Sequence, residues 1–178
     1  MSIAIPSPAV VVLVGAAGAG KSTLARRLFD PEDIVSSDDL RGAIRGDPTD
    51  QSLTRVAFSI LHRELVRRLA RRQTVVVDAT NLTHAGRVAI LRRAAIAGIP
   101  VVGIVLVPPA ADVHARNAAR PSGVVPADAV DRQLATAAAL GADRRAIVER
   151  LAAEGFAAVH VLASAEEIAA VNVERLSR

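Results

Sequence analysis

The residues best equipped for chemistry sit together near the start of the chain, in Gly15-Ala16-Ala17-Gly18-Ala19-Gly20-Lys21-Ser22. The run fits G-x-x-x-x-G-K-[ST], in which small residues let successive backbone N–H groups curl around a phosphate. A helix starting at the end of such a loop adds its positive pole. Lys21 can bring a movable cation to the β- and γ-phosphates. Ser22 offers a hydroxyl ligand to Mg²⁺, and Thr23 a further hydroxyl near the α-phosphate. Lys21 is also the only lysine of the chain; every other one of the 22 basic residues is arginine. A coding bias toward arginine explains the rest and makes the retained lysine informative, because a compact, flexible ammonium does what a planar guanidinium cannot. The same glycines do not form G-x-G-x-x-G, which disfavours a dinucleotide cofactor.

Phosphoryl transfer from such a loop needs a base for the acceptor, a carboxylate near the metal and cations on the migrating group. Asp38, Asp39 and Asp78 each stand at the C-terminal end of a predicted strand, where doubly wound sheets place their sites. For Asp38 and Asp39 the bland alternative is a helix N-cap. Asp78 ends the run Val75-Val76-Val77-Asp78 and reads as a Walker B carboxylate acting on Mg²⁺ through water. Arg116 and Arg120 lie at i and i+4 beside the break Pro121-Ser122-Gly123. Alone they could be a solvated helix end. In a phosphotransferase they are the mobile guanidinium donors that the transition-state charge requires, carried on a hinged lid. His62, His84, His114 and His160 show no metal-ligand spacing. A guanine-specific N/T-K-x-D motif needs a second lysine and so cannot exist here.

Positioning these groups falls to an alternation of apolar runs and helical patterns. Strands are predicted over 9–14, 34–36, 74–77, 101–107 and 157–162. Helices are predicted over 21–29, 38–44, 51–70, 84–97, 109–119, 126–140 and 143–153, and Ser164 can cap one more. Thr83 can cap the 84–97 helix and Gly98 close it. Gly46-Asp47-Pro48 reads as a turn. Arg67, Arg68, Arg71 and Arg72 crowd the end of the 51–70 helix, where favourable placement at a helix C-terminus explains them better than a nucleic-acid patch. Alternating strands and helices mean right-handed crossovers and a parallel sheet covered on both faces.

The bulk properties set the limits. At 178 residues the chain is one domain's worth, and 51% apolar residues are too many for disorder. Aromatics are only 2%, all phenylalanine, so the core must be aliphatic. With no cysteine, a disulfide scaffold, a thiolate metal site and a cysteine nucleophile are excluded. No apolar run reaches the ~18 residues of a membrane span, and the 9–20 stretch lacks the basic flank of a signal peptide. A cytoplasmic protein without membrane contact is expected. The net charge of +4 permits an anionic partner without demanding one.

Four runs in this order resemble the polynucleotide 5′-kinase family, and most closely the kinase module of bacterial end-healing polynucleotide kinase-phosphatases. They are Val11 to Thr23 around the loop; Ser36-Ser37-Asp38-Asp39-Leu40-Arg41-Gly42; Val76-Val77-Asp78-Ala79-Thr80-Asn81; and Arg116-Asn117-Ala118-Ala119-Arg120. The resemblance extends from about Val10 to the C-terminus. It implies a single P-loop kinase domain over 1–178: a doubly wound parallel sheet, helices on both faces and a helical lid near 112–126. It implies that Gly15, Gly18, Ala19, Gly20, Lys21, Ser22 and Thr23 hold ATP, or another nucleoside triphosphate, with Mg²⁺ at Ser22 and Asp78. It makes Asp38 the general base for a 5′-OH, a choice among the three aspartates that the residues alone leave open. Arg41 would bind the adjacent acceptor phosphate, Arg116 and Arg120 would clamp the donor phosphates, and Gln51 and Thr80 would lie on the acceptor side. The implied partners are a nucleoside triphosphate and a 5′-OH polynucleotide end, with phosphatase or ligase modules in the same pathway. The family's phosphatase and adenylyltransferase-like modules have no counterpart in these residues.

Two other functions compete. A plain lid and the lack of Trp and Tyr, the usual base-stacking platforms, suit a kinase of a small hydroxyl compound such as a sugar, a nucleoside or an antibiotic. A nucleotide-binding module without transfer is the third; the pair Asp38 and Arg41 argues against it.

Overall fold

The computed structural model describes residues 2–45 and 54–176. The runs of valine form the middle of a five-stranded sheet. β2 (Val10–Val14) is buried along its whole length, as are β4 (Val75–Asp78) and β5 (Val101–Leu106). Strands covered on both faces read as unbroken apolar runs, which is why no alternation marks them. With β3 (Ile34–Ser36) and β6 (Ala158–Leu162) the order across the sheet is β3-β4-β2-β5-β6, every neighbour parallel. Val12 faces Val77 on one side and Gly103 on the other. A Cβ at Gly103 would lie 3.1 Å from the Phe156 ring, so the glycine makes room for one of three phenylalanines.

The chain leaves β2 for the far edge at β3 and later returns to β5 on the opposite side of β2. β2 is therefore the topological switch point, and the crevice above its carboxyl end is where such sheets bind ligands. α1 (Lys21–Leu28) begins there. α2 (Ser37–Arg45) and α3 (Thr54–Ala70) connect β3 to β4, and α4 (His84–Ile96) connects β4 to β5. α5 (Ala110–Ala118), α6 (Ala127–Ala138) and α7 (Arg144–Glu154) lie between β5 and β6, and α8 (Ala165–Ala170) follows. Thr83, Asp143 and Ser164 cap α4, α7 and α8 with side-chain oxygens. Gln51 and the 46–51 turn lie outside the described residues.

Two aliphatic cores flank the sheet. One joins Val12, Val77 and Val105 to Leu61 and Leu65 of α3, Ile90 of α4 and Leu151 of α7. The other joins Val11, Leu13 and Ile104 to Leu24 and Ala25 of α1. Ile3 and Ile5 complete the second core from β1 (Ser2–Pro6), which pairs in parallel with β7 (Asn172–Leu176). The sequence patterns show neither strand: each is five residues long and paired only with the other. Apart from this small second sheet, the structure has the expected architecture, a P-loop kinase fold with a central parallel sheet flanked by helices. Among the described residues no helix is long and apolar enough to cross a membrane.

Candidate active site

The loop between β2 and α1 is tightly confined. A Cβ at Gly15 would stand 2.6 Å from the Leu106 carbonyl oxygen. Gly18 has φ +86°, and a Cβ there would run into the Val113 carbonyl oxygen and sit 3.1 Å from the Asn117 Cβ. Only glycine meets both demands. The Gly15 N–H donates to the Thr80 carbonyl at 3.0 Å, and Asn81 Nδ2 donates to the Leu13 carbonyl at 2.8 Å. Asn81 is buried at φ +47°, a left-handed conformation that asparagine tolerates. β4 thus grips the base of the loop through the residues that follow Asp78.

On its other side the loop meets the α5–α6 hairpin. Gln133 Oε1 accepts from the Ala17 N–H at 2.7 Å, and Arg116 Nη1 donates to the Ala19 carbonyl at 3.4 Å. Asn117 is buried and clips the segment between the helices, its Nδ2 donating to the Val125 carbonyl at 2.8 Å and its Oδ1 accepting from the Val125 N–H at 3.1 Å. This is the expected lid region, with its break at 119–126 between two helices.

Lys21 is buried at the first turn of α1, its Nζ donating to the Ala16 carbonyl at 2.8 Å. Burial pulls its pKa below the usual lysine value. Asp78 and Asp38 oppose that pull, and Arg120 adds to it. Asp78 is buried at the end of β4, and burial raises its carboxyl above the usual range against the opposing pull of Lys21 and a hydrogen bond from Ser22. Lys21, Ser22 and Asp78 therefore form one group. Asp38 stands in the first turn of α2, but it is not the cap. Ser36 Oγ accepts from the Asp39 N–H at 3.3 Å and does that work, leaving the Asp38 carboxylate available. One Asp38 oxygen accepts from Arg41 Nη2; the other is 3.4 Å from Arg120 Nη2, which reaches over from just beyond α5, 82 residues along the chain. Asp39 points elsewhere, exposed and 3.9 Å from Arg26. Of the two adjacent aspartates, only Asp38 joins the group.

The expected residues thus gather at one place: the loop from Gly15 to Ser22, Asp38, Arg41, Asp78, Arg116 and Arg120. Thr80 contributes through its backbone; none of the described hydrogen bonds involves its side chain. Asn81, Asn117 and Gln133 went unassigned from sequence. Asn81 and Asn117 had a signal, since each stands inside one of the runs that carry the resemblance; Gln133, in the middle of α6 after Asp131 and Arg132, had none. For Mg²⁺ the residues fit. Among the described residues there is no group of three or more His, Asp or Glu for a metal, while Ser22 and Asp78 form the sparse donor set of an ion that keeps waters and takes substrate phosphates. Beside the loop a cavity of about 750 Å³ is lined by Ala16, Ala19, Leu106, Val113, Leu134 and Ile147 among others; none of the candidate catalytic side chains opens into it.

Sheet order, loop and converging charges define the class of P-loop kinase-type phosphotransferases. Within it the chain belongs to the AAA_33 family, an AAA domain, whose model matches residues 10–140. No curated protein matches it in sequence. Among solved structures it is similar to a chain of a Pnkp1/Rnl/Hen1 complex, at 26% identity and TM-score 0.51 over 60% of this chain and 38% of that one. It is similar to a gluconokinase from Sinorhizobium meliloti at 21% identity and TM-score 0.54, over 93% of this chain and 87% of that one. It is also similar to Chaetomium thermophilum Kti12 in complex with ADP-AlF3, at 14% identity and TM-score 0.63, over 90% and 93%.

Proposed function

We propose that the protein moves the γ-phosphate of ATP to the 5′-OH end of a polynucleotide. The observation that carries this reading is the position of Asp38, held between Arg41 and Arg120 and close enough to Lys21 for their charges to interact. Asp38 accepts the proton of the attacking hydroxyl. The acceptor oxygen bonds to the γ-phosphorus as the bond to the β,γ-bridging oxygen breaks, and ADP leaves with that electron pair. Arg41 binds the acceptor's adjacent phosphate, which sets the 5′ oxygen over Asp38. Lys21, Arg116 and Arg120 hold the donor phosphates and balance the transition-state charge. Ser22 and Asp78 would hold Mg²⁺, which would supply charge neutralisation for the donor phosphates. The similarity to a chain of the Pnkp1/Rnl/Hen1 RNA repair complex supports this acceptor.

The test is γ-labelled ATP, Mg²⁺ and a 5′-OH oligonucleotide, beside the same oligonucleotide already 5′-phosphorylated. Label on the 5′-OH strand alone is expected. Label on neither, with ATP bound, would sink the polynucleotide acceptor. The similarity to a gluconokinase along nearly the whole chain favours one second reading, a small hydroxyl acceptor, and a panel of sugars and nucleosides separates the two.

A further inference from the structure

The net charge of the chain is small, but it is not evenly spread. Residues 54–98 contain nine arginines against two carboxylates, Glu64 and Asp78; the rest of the sequence contains 13 basic residues against 16 acidic ones. Asp78 is buried in the site, and Arg87 is buried on Glu154, so neither contributes to the surface. What remains lies on α3, the turn after it and α4. Arg55, Arg63, Arg67, Arg71, Arg72 and Arg92 are exposed. Glu64 is the only acid facing them from these elements, and Arg67 and Arg68 already share it. Among the described residues Arg55, Arg63, Arg71, Arg72 and Arg92 have no carboxylate partner. Favourable placement at a helix C-terminus explains Arg67 to Arg72. It does not explain Arg55 and Arg63, which lie in the first ten residues of α3.

The direction of α3 gives this surface its meaning. α3 runs from the site end of the sheet, where α2 carries Asp38 and Arg41, down to the start of β4. Arg63, Arg67 and Arg71 are spaced four residues apart, which puts one cation roughly every 6 Å along the helix. At its foot Arg67, Arg68, Arg71 and Arg72 line a cleft of about 430 Å³ together with Glu32, Asp33 and Arg175, of which Arg175 is already paired with Asp30 and Asp33. α4 runs alongside, and Arg93 lies near enough to His62 to lower its pKa further, burial being the larger cause.

We infer that the outer face of α3 and α4 is a binding surface for the phosphate backbone of a single-stranded polynucleotide whose 5′ end sits at Asp38. This rests on the polynucleotide reading of the site and adds where the rest of the strand goes. The surface offers guanidinium groups above all, so it binds phosphates and is indifferent to base sequence.

The experiment compares the wild-type protein with Arg63→Glu/Arg71→Glu/Arg92→Glu and with the corresponding glutamine triple. Tm and ATP binding serve as fold controls. Phosphorylation is measured on a 5′-OH dinucleotide and a 5′-OH 15-mer, and 15-mer binding is read by fluorescence anisotropy against salt. The expected result is a KM for the 15-mer raised on the order of tenfold in the glutamate triple, with the dinucleotide unchanged. The log–log salt slope should become shallower by about 2, near 0.7 for each of three phosphates no longer neutralised. The glutamine triple should fall between. If both acceptors are phosphorylated equally well by all three proteins, the surface is overturned and the kinase reading stands. If no oligonucleotide is phosphorylated yet the 15-mer binds and the triple abolishes that binding, the surface stands and the acceptor reading fails. If the 15-mer does not bind the wild-type protein, or only vesicles of anionic lipid do, the inference is wrong.

Discussion

Asp38 is a carboxylate whose two oxygens are both claimed by arginines, and that arrangement sets what its substitution should do. In Asp38→Asn the shape persists and the proton acceptor is lost. General base catalysis contributes roughly 10²–10⁴-fold, so transfer should fall by that factor while ATP binding persists. Isothermal titration with a non-hydrolysable ATP analogue, run beside the transfer assay, separates the two effects; undiminished transfer would remove Asp38 from the mechanism. Arg120→Lys tests the partner from the connection between α5 and α6. A lysine keeps the charge but not the planar fork that can bridge a carboxylate and a phosphate. Its kcat should fall well below wild type, with a smaller change in nucleotide affinity. Asp39→Asn, by contrast, alters an exposed group 3.9 Å from Arg26 and should leave kcat unchanged.

At the scale of elements, the buried ion pair between α4 and α7 makes a prediction with a definite sign. Arg87 is fully buried, and its Nε and Nη2 donate to the two oxygens of Glu154 at 2.7 and 2.6 Å. Burial alone would raise the Glu154 carboxyl, but Arg87 and His84 outweigh it, so its pKa lies below the usual value. A carboxylate lowered in the folded state stabilises the fold above its unfolded pKa, and that stability is lost as pH falls through the folded one. Glu154→Gln leaves Arg87 buried without a counter-ion, which costs about 3–5 kcal/mol at neutral pH. Thermal melts from pH 7 down to pH 3 should show the gap to wild type closing as the medium acidifies. A constant gap would mean that Glu154 works by packing alone. Most elements were legible in the sequence because a buried parallel strand needs a continuous valine run and a helix needs its stripe. The loop was legible because phosphate binding fixes residue types at fixed spacing. Asp38 could be singled out only by resemblance. The structural reason, Ser36 taking over the cap, depends on a serine one residue before the helix that sequence patterns treat as interchangeable with its neighbours. Arg87 reads as one more surface arginine because its partner lies 67 residues away. β1 and β7 escaped for the same cause, since each is given its place only by the other, 170 residues along the chain.

For the whole molecule, these two strands connect stability to the site. Ile3 and Ile5 are buried in the core that also holds Leu24 and Ala25 of α1, and α1 begins at Lys21. Packing contributed by the chain's two ends thus sits behind the helix whose N-terminus meets the phosphates. Ile5→Ala removes three buried carbons and leaves a cavity that neighbours fill only in part, at a cost of about 2–5 kcal/mol. Because ATP binds only the folded form, nucleotide at 100 times its Kd should return about 2.7 kcal/mol. Denaturant melts of wild type and Ile5→Ala, with and without ATP, yield both numbers. If the second core only stabilises the fold, one and the same ATP concentration returns the same free energy to both proteins, and the two Kd values agree. If the core also holds α1 in register under the loop, Ile5→Ala weakens ATP binding as well. We expect the second outcome, because Leu24 and Ala25 lie only three and four residues beyond Lys21, within one helical turn of the loop.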